Sequence, residues 1–372
     1  SAKFAAIPDN QGRDNPAAHA LVALIDKSKA DMRLFFNAPK GQFFVGESGT
    51  ELLFRLIRTA IVGTGAGRVL GSTLEHPASR SAAAHWAEVV GKPHILVAHD
   101  DATGTVGPKA YRPEITPDTR VATILHTSPV TGMGVDVGAI AAEIRKTAPD
   151  CIIIVDGIQH AAHGRLDIES YDVDGYVISP YKVFSRHGYG VAWVSDRLHA
   201  IKHEHLIDAP GNPWEFGTRD TGAYVTFSDV VDYFVWLGGE VSNQTDPRAR
   251  IVAAGEAIHV HEKRLTDAMI NGIGNIKGLK DMVEVDIIGG LENPAREGLV
   301  CLTVKGQAAP DIVTKLRERG IRTHTRKADH YSGNVLSPLG LDAAVRVSMC
   351  HYNTETEVAQ FLTAMREIVE VV

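Results

Sequence analysis

Cysteine is scarce in this chain: 372 residues hold three, Cys151, Cys301 and Cys350. They are too few and too scattered for a disulfide framework or a zinc site, and a reducing, cytoplasmic setting fits that usage. Long apolar runs are missing too. None approaches the ~20 residues that a membrane-crossing helix needs. No block of basic residues stands out, and the formal net charge is -7 with a pI near 6.2. Nucleic acid and an anionic membrane are therefore not expected partners. The first residues, SAKFAAIPDNQGRDNP, lack the basic start and apolar centre of a signal peptide, and Ser1 points to a removed initiator Met or a cleaved tag. No internal repeat or low-complexity tract is present.

The remainder is an ordinary globular mix, 44% hydrophobic and 22% charged. A chain of this length is too long for one small core and suits two domains. After an irregular arm, Pro16 opens a helical apolar pattern through Ala18, Leu21, Val22, Leu24 and Ile25. From about residue 43, short apolar runs alternate with helical patterns. That alternation predicts an α/β fold, a mostly parallel sheet sandwiched by helices. A long helix from about 246 to 273 leads into an α+β segment: strands at 282–288, 298–304, 321–325 and 344–349, helices at 309–319 and 354–370, and a loop at 326–340. The expected division is an arm plus large domain over 1–245 and a small domain over 246–372.

One stretch organises the rest, IIIVDGIQHAAHGRLDIESYDVDGYVISPYKVFSRHGYG, from Ile152 to Gly190. Its first apolar run ends in Asp156 and its second in Ser179, with Lys182 three residues on. Ligands of open α/β sheets bind outside the carboxyl ends of the strands. An acid and an amine meeting there can serve pyridoxal phosphate, the amine as Schiff base and the acid as partner to the pyridinium nitrogen. For these two residues alone, a structural Asp–Lys pair at the end of the sheet is the favoured explanation. Upstream, Ser48, Gly49 and Thr50 stand at a helix start, where free N–H groups and the dipole favour a phosphate; a plain Ser cap is the simpler alternative. His76 opens another helix, either as a cap or as a ring stacked on a planar cofactor. Gly63 to Gly67 imitates a dinucleotide loop, but it follows a helix and precedes a strand, so it reads as a helix stop. Arg346 alternates with apolar neighbours on a late strand, a surface position or a clamp for a substrate carboxylate.

In order, these motifs resemble the class V aminotransferase family of fold type I pyridoxal-phosphate enzymes, which includes cysteine desulfurases and selenocysteine lyases. The resemblance rests on Ser48-Gly49-Thr50-Glu51, Glu75-His76, His126 through Gly132, Val155-Asp156-Gly157-Ile158-Gln159, Ser179-Pro180-Tyr181-Lys182, Glu215-Phe216-Gly217-Thr218 and Arg346-Val347-Ser348. It implies that Lys182 carries the cofactor and then moves the Cα proton. It implies Asp156 on the pyridine nitrogen, Gln159 on the ring's phenolic oxygen and His76 stacked on the ring, the three catalytic positions being Lys182, His76 and Asp156. Ser48, Gly49, Thr50, Ser179 and Tyr181 would hold the phosphate. Gly217 and Thr218 would reach the phosphate of a neighbouring subunit, in a homodimer with shared sites. Arg346 and Ser128 would face an amino-acid-like substrate, and no metal is implied.

Three positions depart from the family pattern. Tyr181 stands where desulfurases commonly have His, Pro129 where a side-chain donor is usual, and the stretch TRKADHYSGNVLSPLGL from Thr325 to Leu341 holds no Cys. A persulfide mechanism needs an accessible, activated thiolate there. The expected activity is a desulfurase-like lyase cleaving a Cβ–S or Cβ–X bond. An aminotransferase or epimerase shares its first half, and a non-catalytic binding subunit is disfavoured by the joint presence of Lys182, Asp156 and Gln159.

Overall fold

Six strands running one way and one running against them make the main sheet of the computed structural model, which describes residues 12–211, 213–217 and 220–370. The strands are β1 (Gln42–Gly46), β2 (Arg68–Ser72), β3 (His94–Val97), β4 (Thr119–Leu125), β5 (Ile152–Asp156), β6 (Gly175–Ile178) and β7 (Gly190–Val194). Their order across the sheet is β1-β7-β6-β5-β4-β2-β3, and β7 is the antiparallel member. β5 and β6 are buried along their whole length, which is why they read as unbroken apolar runs rather than alternating ones. Helices cover the sheet: α1 (Pro16–Phe36), α2 (Gly49–Gly63), α3 (Pro77–Val89), α4 (Val137–Thr147) and α5 (Gly222–Val241).

Two core clusters lie against this sheet, one containing Ile153, Val155 and Ile178, the other Ile154 and Val177. The alternation along β5 thus sends successive side chains to opposite, equally buried faces. Each buried Ile or Val contributes roughly 1.5–3 kcal/mol. The glycine-rich turn after α2 behaves as a stop: at Gly67, φ is +147° and a Cβ would lie 2.1 Å from the Asp118 carbonyl oxygen.

The 25-residue α6 (Pro247–Asn271) carries the chain to a second, four-stranded sheet. That sheet has β8 (Val285–Ile287), β9 (Leu299–Val304), β10 (His324–Lys327) and β11 (Ala343–Ser348) in the order β8-β9-β11-β10, all antiparallel. The helices α7 (Ala309–Glu318) and α8 (Glu355–Glu370) pack on it around Leu302, Ile312, Leu316, Val345 and Leu362.

The strand expected at 321–325 falls three residues later. The Ile321 N–H is used to close α7 on the Leu316 carbonyl, so pairing with β11 begins at His324. Arg326 is therefore a sheet residue and not part of a loop. The remainder of the expected loop contains a helical turn, Gly333–Leu336. No helix among the described residues is long and apolar enough to cross a membrane.

Candidate active site

At the carboxyl end of β5, Asp156 is 2% exposed, and its Oδ1 accepts the Ile158 N–H at 3.1 Å. Burial raises its pKa to about 6, against the pull of that N–H and of the Lys182 charge. Lys182 sits in a short helical turn just past β6, fixed by its own N–H to the Ser179 carbonyl at 2.9 Å. Burial lowers its pKa to about 8; Asp156 opposes the shift, and Arg346 and Arg326 add to it. The Lys182 Nζ donates to Gln159 Oε1 at 3.2 Å. Asp156, Gln159 and Lys182 thus line one cleft, together with Thr50, His76, Leu125, Pro129, Ile158, Ser179 and Tyr181.

The floor of the cleft is the start of α2. Ser48 caps that helix, its Oγ accepting the Glu51 N–H at 3.1 Å, and the N–H groups of Gly49 and Thr50 have no acceptor inside the helix. A Cβ at Gly49 would stand 2.4 Å from Ser179 Oγ and 2.6 Å from Ile158 Cδ1. Gly190, at the start of β7, is pressed as closely on the other side, with 2.7 Å from its would-be Cβ to the Gly49 nitrogen. At Gly190 the clash is with backbone, so only glycine fits; at Gly49 a side chain would displace Ser179 and Ile158 from the helix start. The result is a small polar cradle open to an anion. Both alternatives for Ser48 to Thr50 are compatible, since the cap uses one Ser48 lone pair and leaves the cradle free.

His76 serves as the cap of α3, its Nδ1 accepting the Ala78 N–H at 3.2 Å. Burial, then the charges of Lys182 and Arg326, lower its pKa to about 4, so the ring is neutral at pH 7. Beside it Glu75 is 1% exposed and accepts from Ser72 N–H at 2.9 Å and Thr123 Oγ at 2.7 Å; burial lifts its carboxyl to about 7.

Not every expected residue faces the cleft. The Ser128 Oγ is fully buried and accepts the N–H groups of Val130 (3.3 Å) and Thr131 (3.1 Å). It shapes the turn, and the adjacent Pro129 forms the wall. Gly217 is exposed, with φ +63° and open space where a Cβ would be. Thr218 lies outside the described residues. The preceding Glu215 and Phe216 are anchored within the chain, Glu215 by Val45 N–H at 3.4 Å and by the Tyr224 hydroxyl, Phe216 under the Arg55 guanidinium.

Sequence reasoning missed a polar chain behind Gln159. Gln159 Nε2 meets His163 Nε2 at 2.9 Å, and His163 Nδ1 meets Glu262 Oε2 of α6 at 2.7 Å, with all three side chains buried. The available signal was the spacing of Gln159 and His163, four residues apart. A parallel pair joins His160 Nδ1 to Glu297 Oε1 at 2.8 Å, with the His160 ring stacked on His126 at 3.5 Å. The stretch before Arg346 is also placed. Asn334 Nδ2 donates to the carbonyls of Thr73 (2.7 Å) and Glu75 (3.3 Å), and the Tyr331 ring lies 5.9 Å from that of His76. This segment therefore closes the His76 side of the cleft.

The cleft fits pyridoxal phosphate through its own residues: an anion cradle at one end, a neutral ring on one wall, a buried acid, and an amine of lowered pKa.

The family model Aminotransferase class-V matches residues 10–361. Among curated relatives, the nonribosomal peptide synthetase-like enzyme fsqF of Aspergillus fumigatus is 27% identical over 98% of this chain, which spans 24% of that protein. A probable cysteine desulfurase of Pseudomonas putida is 27% identical over 74% of the chain and 65% of its own length. The chain thus spans less than two thirds of the length of both. The cysteine desulfurase-like protein ustD of Aspergillus flavus is 26% identical over 97% of the chain and 81% of its length. The solved structure of apo cysteine desulfurase from Thermococcus onnurineus NA1 has the same fold, with a TM-score of 0.82 at 17% identity over 99% of this chain and 90% of that one. The chain belongs to the class-V aminotransferase family, fold type I enzymes that depend on pyridoxal phosphate.

Proposed function

We propose that this protein acts on an amino-acid-like substrate as a lyase, cleaving a Cβ–S or other Cβ–X bond. The observation that carries the reading is the trio of buried Asp156 and Gln159 and half-buried Lys182 at adjoining strand ends, above the cradle at Ser48 to Thr50. When bound, the cofactor supplies a carbonyl that condenses with an amine and a ring that absorbs electrons. Lys182 is the attachment point and afterwards the base that takes the Cα proton. Its pKa of about 8 keeps an appreciable neutral fraction near pH 7, as a base requires. Asp156 would keep a proton on the pyridine nitrogen of the bound cofactor. Gln159, which accepts from Lys182, would also hydrogen-bond the phenolic oxygen. Thr50, Ser179 and Tyr181 would join Ser48 and Gly49 in holding the phosphate, and His76 would stack on the ring. Arg346 receives the α-carboxylate, while Ser128 acts through the turn that carries Pro129.

Several features bear on which bond breaks and where. Burial pushes the thiols of Cys151 and Cys301 up to about 12 and that of Cys350 above its ordinary value. None is an activated nucleophile, so the β-substituent is expelled directly and not transferred to a protein sulfur. The reading carries a division into two domains at 245/246. It also carries a cytoplasmic homodimer in which Gly217 and Thr218 complete the partner's phosphate site.

Incubation of cofactor-loaded protein with a panel of amino acids tests this. Release of pyruvate or sulfide is expected. A lasting pyridoxamine form would instead mean aminotransfer, and Cα proton exchange without net product would mean epimerisation. A Lys182→Ala variant is expected to lose activity by at least about 10³-fold, and one that kept the wild-type rate would refute the assignment.

A further inference from the structure

Beside the Lys182 cleft stand two guanidinium groups that form no ion pair among the described residues. Arg326 is on β10 and Arg346 on β11, antiparallel neighbours whose register pairs Arg326 with Ala344 and His324 with Arg346. The two arginines are therefore diagonal neighbours on one face of the sheet, about 7–8 Å apart at the backbone. Arg326 Nη2 donates to the Pro129 carbonyl at 3.1 Å, and Pro129 is part of the cleft wall. The Nε atoms of both arginines are buried and have no hydrogen-bond partner. Neither side chain forms an ion pair among the described residues.

The surroundings do not neutralise them. Across β9, Arg346 faces Cys301, a thiol that burial keeps protonated. His324, beside Arg346, has its pKa lowered by burial and then by both arginines. Asp329 is exposed and already accepts the Tyr331 N–H at 2.9 Å. Asp156 is opposite Lys182, which is itself cationic over much of the neutral range. A bound cofactor brings its phosphate to the far end, at Ser48 to Thr50.

If Arg346 takes an α-carboxylate, a substrate with one acid group would leave the half-buried Arg326 with the Pro129 carbonyl but no counter-charge. A partly desolvated charge without a counter-charge is costly. We infer that Arg326 recognises a second acid group, and that the substrate is an α-amino acid with a carboxylate on its side chain, carried by the group beyond the Cβ–X bond; aspartate and glutamate are binding probes for that acid group. The planar guanidinium suits a carboxylate in two-pronged contact. Asn334 and Tyr331, from the same segment, close the side of the cleft into which that group reaches. This inference rests on the reading that Lys182 and Arg346 bind an amino acid.

The test titrates cofactor-loaded protein with L-aspartate, L-glutamate, L-alanine and L-lysine. Dissociation constants are read from the visible absorbance of the cofactor and, independently, by calorimetry. At least one acidic amino acid is expected to bind about tenfold or more tighter than alanine. Arg326→Gln keeps a donor for the Pro129 carbonyl but removes the charge, and is expected to cut that ratio about tenfold. Arg326→Glu is expected to favour lysine over aspartate. Arg346→Gln is expected to weaken every ligand. If wild-type protein binds alanine as tightly as both acids, or if Arg326→Gln keeps the ratio, the inference is overturned and the amino-acid reading survives. If no amino acid perturbs the loaded protein by either readout, both fall.

Discussion

Lys182 shows how a residue's surroundings decide its chemistry. Burial lowers its pKa from 10.5 to about 8, while Asp156 pulls the other way. The native value lies below the unfolded one, so the ammonium form weighs against the folded state as pH falls from about 10 towards 8. The same shift supplies neutral amine where an exposed lysine would offer almost none. Asp156, raised to about 6, stays ionised throughout that window. The rate at which cofactor-free protein captures pyridoxal phosphate is therefore expected to rise from pH 7 to 9, with a midpoint near 8. Asp156→Asn should move that midpoint down, because the carboxylate is what favours the ammonium. Stopped-flow absorbance across pH reads both, and an unchanged or raised midpoint in the variant would contradict the pairing. At this scale much was legible. Asp156 and Lys182 each end a buried apolar run, and strand ends are where open sheets place their ligands. His76 was legible only as an alternative, cap or ring; the geometry makes it a cap whose ring also lines the cleft.

Elements supply what single residues could not announce. The register of β10 against β11 turns Arg326 from an expected loop residue into a neighbour of Arg346. The sequence placed that strand at 321–325, because nothing local showed that the Ile321 N–H would be spent closing α7. His163 was missed for a similar reason: its partner Glu262 is 99 residues away on α6. The chain Lys182–Gln159–His163–Glu262 ties the site to the helix that leads to the second sheet. His163→Leu leaves a buried carboxylate unpaired, and is expected to cost about 3–5 kcal/mol in urea unfolding. The double variant His163→Leu, Glu262→Leu should recover most of that loss. A single variant as stable as wild type would mean that the buried pair contributes nothing. Ser128 is the converse case. The resemblance places it toward substrate, and its hydroxyl oxygen also accepts two backbone N–H groups that shape the turn.

Across the whole molecule, the sheet order explains why residues far apart in sequence meet. All strands of the main sheet but β7 point their carboxyl ends the same way, so Ser48 after β1, His76 after β2, Asp156 at the end of β5 and Lys182 after β6 share one mouth. The second sheet then brings Arg326 and Arg346 to that mouth. The alternation of apolar runs and helical patterns made this architecture legible, and the order of motifs made the family legible. The choice of reaction was not, because it depends on how the segment from Thr325 to Leu341 packs over His76. The central claim is that this mouth holds pyridoxal phosphate on Lys182. Its most direct test is to load the protein with the cofactor, reduce with borohydride, digest, and locate the modified residue by mass spectrometry. One stoichiometric reduced pyridoxyl-phosphate adduct is expected, on Lys182. No adduct, or adducts spread over surface lysines with Lys182 unmodified, would contradict it.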